Sequence, residues 1–372
     1  MKKIVDCAGK GVDLCLVERP GLKELFLTAL PVDDGGLEAQ IAACARACRE
    51  HGAAVIKMDL FGSREALDRD MGLVGGAFEK IDWPVMAISG EGCGGGGAAG
   101  LQVHAVAGVQ VDTVSLDGRI AGRVFEDDFT RTCVLGNVHA GDGSAGREDQ
   151  ARRTFENLAG GLEQAGMTMK DVVRTWFFVS DILAWYGAFN AVRKAFYDEK
   201  GIMGGLLPAS TGVGGENPGG FALVTAALAI RPRPGVESVA AANVPSPLQC
   251  PAPAYGSLFS RALEVSTPDR RLLIVSGTAS IDPDGKTVHV GDVDGQIRLT
   301  LDVVRAILQS RGMDYGDSCR ATVYFKKLQD APRLEEFLGQ YAVPAGRLVV
   351  ARNEICRDDL LFEIEVDAVK SV

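Results

Sequence analysis

Histidine is scarce in this chain: His51, His104, His139 and His289 are the only four in 372 residues, far apart and in no ligand spacing. That scatter argues against a histidine-based metal centre, which needs several such donors at short spacing. Basic runs are also missing, and the formal net charge is −10. Phosphate affinity comes from clustered Lys and Arg, so nucleic acid is not an expected partner. No apolar run approaches the roughly 20 residues that span a bilayer. The start, Met1-Lys2-Lys3-Ile4, lacks the apolar core of a signal peptide, and the nine cysteines show no CxxC pairing. A reducing cytoplasm fits these absences. The glycine run Gly92-Cys93-Gly94-Gly95-Gly96-Gly97 is not followed by Lys-Ser/Thr and reads as a flexible turn rather than a phosphate loop. Cys44 and Cys48 sit one helical turn apart among alanines, a packing pattern.

What is present is a globular composition, 47% hydrophobic and 24% charged, at a length that suits two or three domains. One unit recurs three times. In the middle of the chain the strand 132–138 leads to a helix with Ala151, Phe155, Leu158, Leu162 and Ala165 on one stripe, ended by Gly166. Strand 172–179, a helix from Trp185 to Phe196, a loop at Pro208-Ala209-Ser210-Thr211-Gly212 and strand 221–228 follow. The last third repeats this order: strand 272–277, a helix carrying Ile297, Leu301, Val304 and Leu308, strand 321–325, a helix near Leu334 to Tyr341, Pro344-Ala345-Gly346-Arg347 and a final strand. The first third repeats it more faintly, with a Leu37-Ile41-Ala45-Cys48 stripe. Units of roughly 120 residues fill the chain. Their expected bounds are 1–112, 113–236 and 245–372, with Arg231 to Pro253 as a proline-rich linker. Each reads β-α-β-α-β, an α+β unit with helices on one face of a mixed sheet.

The final stretch, Asp359 to Ala368, alternates acid and aliphatic residues. Phe362, Ile364 and Val366 form an apolar face; Glu363 and Glu365 share the other. By itself this pattern equally describes an edge strand with a solvated acidic face.

Phe189-Asn190-Ala191-Val192-Arg193-Lys194-Ala195-Phe196-Tyr197, Pro208-Ala209-Ser210-Thr211 and Phe362-Glu363-Ile364-Glu365 resemble the Rid (YjgF/L-PSP) superfamily. The resemblance implies three tandem chorismate-mutase-like units that build inside one chain the trimer these proteins form from three. Arg174-Thr175-Trp176, Tyr255-Gly256, Phe259-Ser260-Arg261-Ala262, the segment 287–296 and Cys356-Arg357-Asp358-Asp359-Leu360-Leu361-Phe362-Glu363 resemble the chorismatases, tandem Rid-fold enzymes that hydrolyse chorismate. It further implies that Glu363 activates water or donates a proton, with Gln102 and Val224 in its place in the other two units. Ser276 and Gly277 would face a ligand. Asn190 would reach across the unit boundary, making one composite cleft between the second and third units. Arg347, one residue displaced from the family's Pro-x-Arg, would grip a carboxylate, with Arg261 and Arg174 as further candidates. Cys356 and Gly277 match the subgroup that forms 3-hydroxybenzoate. Chorismatases carry an arginine and prolines just after Tyr-Gly, where this chain has Ser257 and Leu258.

The expected function is a chorismatase-like hydrolase or lyase that releases pyruvate from chorismate or a similar carboxylated enol ether, with no cofactor. The alternatives are a 2-imino acid deaminase using Arg347 and Glu363, and a catalytically silent ligand-binding protein. The expected partner is a small carboxylated metabolite, and the expected state a monomeric pseudo-trimer or small homo-oligomer.

Overall fold

The computed structural model of the chain describes residues 2–6, 11–32, 36–92 and 97–372, so most of the glycine run lies outside the described residues. The first unit comprises β1 (Lys2–Asp6), β2 (Val12–Arg19), β3 (Leu22–Ala29), α1 (Glu38–Glu50), β4 (Ala54–Gly62), α2 (Arg64–Phe78), β5 (Val85–Ser89) and β6 (Ala98–Ala107). The second comprises β7 (Val111–Leu116), β8 (Arg119–Glu126), β9 (Thr130–Val138), α3 (Arg147–Gln164), β10 (Val172–Val179), α4 (Ile182–Glu199), β11 (Ala209–Gly214) and β12 (Leu223–Pro232). The third comprises β13 (Ala240–Val244), β14 (Ala262–Ser266), β15 (Arg270–Ala279), α5 (Val293–Ser310), β16 (Ser318–Phe325), α6 (Leu334–Tyr341), β17 (Leu348–Arg352) and β18 (Phe362–Ser371). Each unit is a six-stranded sheet of identical order, β1-β2-β3-β6-β4-β5 in the first and its counterparts in the others. The strand pairs are antiparallel except β4/β5, β10/β11 and β16/β17.

Six strands per sheet exceed the sequence expectation. The segment at Pro208–Gly212 opens β11 instead of a loop, and a leading strand joins each sheet edge. Sheets change between Ala107 and Val111, so Asp112 already belongs to the second. Ala240–Val244, assigned to the linker from sequence, is the edge strand β13. Four of its five residues are exposed, and it carries no apolar alternation to mark it.

Each sheet covers its own helix pair with one face. The stripe Ala151, Phe155, Leu158 and Leu162 is fully buried against the second sheet, and Ile297, Leu301, Val304 and Leu308 against the third. The opposite faces meet one another around a pseudo-threefold axis, so β10 is buried at all eight positions. Phe61, Phe178 and Tyr324 stand at matching register, facing Gly100, Val224 and Glu363. They meet edge to face on the axis, with Phe61 centroids 6.0 Å from Phe178 and 6.3 Å from Tyr324. The chain is therefore an α+β tandem of three like units closed into an intrachain pseudo-trimer. No helix among the described residues is long and apolar enough to cross a membrane.

Candidate active site

β18 is an interior strand between β15 and β16, not a sheet edge. Its alternation buries both faces: Phe362, Ile364 and Val366 enter the third unit's core, while Glu363, Glu365 and Asp367 turn toward the axis at 4%, 1% and 9% exposure. The acidic face is not solvated.

The register of β18 against β16 fixes which residues are equivalent. Glu363 lies opposite Tyr324 as Val224 lies opposite Phe178 and Gly100 opposite Phe61. Gln102 therefore matches Glu365, not Glu363, and the first-unit counterpart of the acid is Gly100. A two-residue slip keeps every side chain on the same face, which hides it from a period-two pattern. Of the three pseudo-equivalent interfaces, the one between the second and third units carries the carboxyl.

That interface forms a cleft lined by Tyr186, Asn190, Arg193, Ser210, Tyr255, Phe259, Arg261, Gly277, Cys356, Arg357 and Glu363. The helix α4 contributes Tyr186, Asn190 and Arg193, four and three residues apart and so on one face. The edge strand β11 brings Ser210, held in place by bridges of Ala209 to Ser260 and Val213 to Ile355 across the unit boundary. A bulge at Ser276-Gly277, between the pairs Val275–Val366 and Thr278–Ile364, turns the Gly277 backbone toward Glu363. A Cβ on Gly277 would lie 2.1 Å from Glu363 Oε1, so only glycine leaves room for the carboxyl.

Glu363 accepts no hydrogen bond from the described residues, and burial, then the neighbouring Glu365, push its pKa up to about 8 despite Arg174. Phe362 plays no part, because it points into the opposite core. Two arginines are built into the wall. Arg261 is 4% exposed, stacks on Tyr255 and Phe259 at 5.3 and 5.7 Å, donates through Nε to Cys250 O, and keeps Nη2 unpartnered. Arg193 is 3% exposed, lies over Phe177 and Tyr197, donates to Leu258 O, and keeps Nε unpartnered. Arg357 covers the Tyr255 ring and donates to Gly285 O. The Cys356 thiol, beside the Tyr186 hydroxyl, is pushed up to about 12 chiefly by burial and stays protonated. The Tyr186 hydroxyl also pairs with Asn190.

Of the residues singled out from sequence, Glu363, Asn190, Gly277, Arg261 and Cys356 converge on this cleft. Ser276 does not: its hydroxyl is buried, accepting from Ser210 N and donating to Ser260 O, and so ties the two units together. Arg174 lies beneath the cleft at 0% exposure, bound to Glu365, Thr211 and Val275 O, so it cannot reach a ligand. Arg347 is elsewhere altogether, between the third and first units, bound to Asp13 and Ser318 O. It immediately precedes β17, whose sheet edge packs on β6 and β3 of the first unit, whereas β11, the corresponding edge of the second unit, packs on β15 at the cleft. The imine-hydrolysis reading thereby loses the arginine it relied on. Tyr186, Arg193 and Arg357 were missed, although the spacing of Tyr186 and Arg193 from Asn190 was a visible helical signal.

A second, internal space on the axis is lined by Lys57, Asp59, Glu24, Arg270, Arg320 and Asp367. Its cations are spent on ion pairs, Lys57 with Asp59, Arg270 with Glu24, and Arg320 with Asp367, while the buried unpartnered atoms in its wall are His104 Nε2, the Thr132 hydroxyl and Asp367 Oδ1 rather than guanidinium N–H groups.

The family model "Endoribonuclease L-PSP" matches residues 137–217 and 252–370, together more than half of the chain. A chorismatase of Streptomyces hygroscopicus is 30% identical over 217 residues, 52% of this chain and 60% of that protein. A 3-hydroxybenzoate synthase of the same organism is 29% identical over 233 residues, 55% of this chain and 64% of that protein. The chain thus spans less than two thirds of the length of these curated relatives. A crystal structure of a chorismatase superposes with a TM-score of 0.63 at 22% identity, covering 84% of this chain and 92% of that one, which establishes the likeness of fold. By the family match and the three repeated sheets, the chain belongs to the endoribonuclease L-PSP (Rid) family.

Proposed function

We propose that the chain is a chorismatase-like hydrolase that cleaves the enol ether of chorismate, or of a closely similar carboxylated enol ether, releasing pyruvate. The observation that carries this reading is a carboxyl that still holds its proton at neutral pH, Glu363, set among buried arginines with unpartnered N–H groups. An enol ether needs a proton at its terminal carbon before water can add, so a loaded acid suits it better than an ionised base. Glu363 protonates the methylene to a methyl group, and the charge settles on the adjacent carbon as an oxocarbenium ion. Water adds there and returns a proton to the Glu363 carboxylate; the bond from the hemiketal carbon to the ring oxygen then breaks as the hemiketal hydroxyl becomes the carbonyl and its proton passes to the ring oxygen. Pyruvate and a ring alcohol leave, with one water consumed. Arg261 and Arg193, with Arg357 at the rim, suit a substrate bearing two carboxylates, because guanidinium N–H groups in a half-dry wall favour anions. Arg193 offers the second grip where the arginine after Tyr-Gly is missing. Cys356 in the same cleft, as a neutral thiol, is placed to influence what becomes of the ring: the released ring diol yields 3-hydroxybenzoate by losing one water, so that route consumes no water overall, and 3-hydroxybenzoate is the ring product to look for. Support also comes from the chorismatase and 3-hydroxybenzoate synthase relatives. The test is to incubate purified protein with chorismate and measure pyruvate. Release that scales with enzyme is expected; no release at high enzyme concentration overturns the proposal.

A further inference from the structure

Glu363 shares its strand face with Glu365, two residues and roughly 7 Å further along β18. Glu365 is 1% exposed and held from all sides. It accepts from Arg174 Nη2 at 2.7 Å, Arg320 Nη2 at 2.8 Å, Trp176 Nε1 at 3.0 Å and the Thr211 hydroxyl. Both arginines are themselves anchored, Arg174 to Val275 O and Thr211, and Arg320 to Asp367 and Gln102. A carboxylate in such a cage is a fixed negative charge that can neither move nor take a proton near neutrality. Glu363 has no cage.

The groups facing Glu363 from the packed elements are mostly cationic or neutral: Arg174 from β10, Tyr186 and Arg193 from α4, Tyr255 and Arg261 from the 252–261 segment, and Cys356 and Arg357 from the segment before β18. The cations among them favour ionised Glu363. Glu365 is the anion nearest to it that opposes them. The molecule carries its own comparison. Where Glu363 is replaced by Gly100, Glu365 is replaced by Gln102; where it is replaced by Val224, Glu365 is replaced by Ala226. The two acids are present together or absent together.

We infer that Glu365 is a positioning residue for the cleft chemistry: it is a caged anion on the same strand face whose field, added to the burial of the cleft, opposes the surrounding arginines and helps hold the proton on Glu363. Arg174 and Arg320 act in the same device by keeping Glu365 ionised. This rests on the acid role given to Glu363 above, but its test does not require turnover. Glu365→Gln is the informative variant, because Gln102 already accepts from Arg320 Nε and Nη2 at the equivalent interface, at 3.1 and 2.9 Å.

The experiment is an infrared titration of the Glu363 carboxyl band, identified by its loss in Glu363→Gln, in wild type, Glu365→Gln and Glu365→Asp. In wild type the midpoint is expected near 8. In Glu365→Gln it should fall by about one to two pH units, since a unit charge at this separation in a protein interior is worth about that much. In Glu365→Asp, which keeps the charge, it should stay close to wild type. If the protein turns over chorismate, the alkaline limb of the kcat profile should move with the midpoint, with KM little changed. A midpoint unmoved by Glu365→Gln, or lowered equally by Glu365→Asp, overturns the inference. A wild-type midpoint in the ordinary carboxylate range overturns it even if the Gln variant does not fold. Absent turnover with the midpoints as expected would overturn the proposed reaction and leave this inference standing.

Discussion

At the scale of single residues the cleft depends on what is small and what is unpaired. Gly277 is the clearest case, because a methyl group there would overlap the Glu363 carboxyl. Gly277→Ala should leave the fold intact by circular dichroism while lowering pyruvate release on the order of 10²-fold, the usual consequence of displacing a reacting group by an ångström. The proton on Glu363 also has a thermodynamic signature. Its pKa rises from 4.5 to about 8 on folding, so the stability it contributes is full below the unfolded value and is lost as pH rises through the folded one. Glu363→Gln has no proton to lose. Scanning calorimetry should show its Tm gaining on wild type between about pH 5 and about pH 9, a direct reading of the sign. A constant difference across that range would mean that Glu363 is ionised throughout. Glu365 runs the opposite way, with a pKa lowered from 4.5 to about 2 against the opposing pull of burial, so its contribution is lost only as pH falls through that range.

At the scale of elements β18 serves two cores at once. Phe362 is fully buried in the third unit and meets Phe325 edge to face at 5.1 Å, while the next residue enters the cleft. Phe362→Ala should cost about 3–5 kcal/mol in urea unfolding, the range for emptying a buried aromatic site. The long helices α3 and α5 were legible in the sequence because they pack one face on a sheet, and the apolar stripe records it. The edge strands were not. β11 is a short strand with glycine at two of its six positions, paired on one side with β10 and bridged at Ala209 and Val213 to the next unit. Slips along strands were the other blind spot. Gln102 was set opposite the wrong acid because alternation repeats every two residues, and Arg347 falls outside the cleft because the edge of the third sheet faces the first unit, which no pattern within one repeat can show. Glu363, Asn190, Gly277, Arg261 and Cys356 were readable as motif positions; the caged role of Glu365 needed three units folded against one another.

At the scale of the whole molecule, three homologous sheets make three interfaces, and they have diverged. Between the first and third units Gln102 takes the arginine and Leu30 and Val349 close on Gly100. Between the first and second, Met86 accepts the Asn137 N–H and Pro84 packs against Gly136, where the second–third interface has the Thr211 hydroxyl accepting the Gly277 N–H. Fusion into one chain is what permits this: an exact trimer must carry the same residue in all three clefts, whereas a tandem chain can keep the acid in one and turn the others into packing. The proposed chemistry therefore depends on a single carboxyl in a single cleft. The most direct measurement is turnover of chorismate in H₂¹⁸O by wild type and by Glu363→Gln, following pyruvate and the oxygen of the ring product. The account predicts pyruvate from wild type, a ring hydroxyl free of label because the ether bond breaks on the pyruvyl side, and a loss of about 10²- to 10⁴-fold in the variant. Undiminished release by Glu363→Gln, or label in the ring hydroxyl, would contradict it.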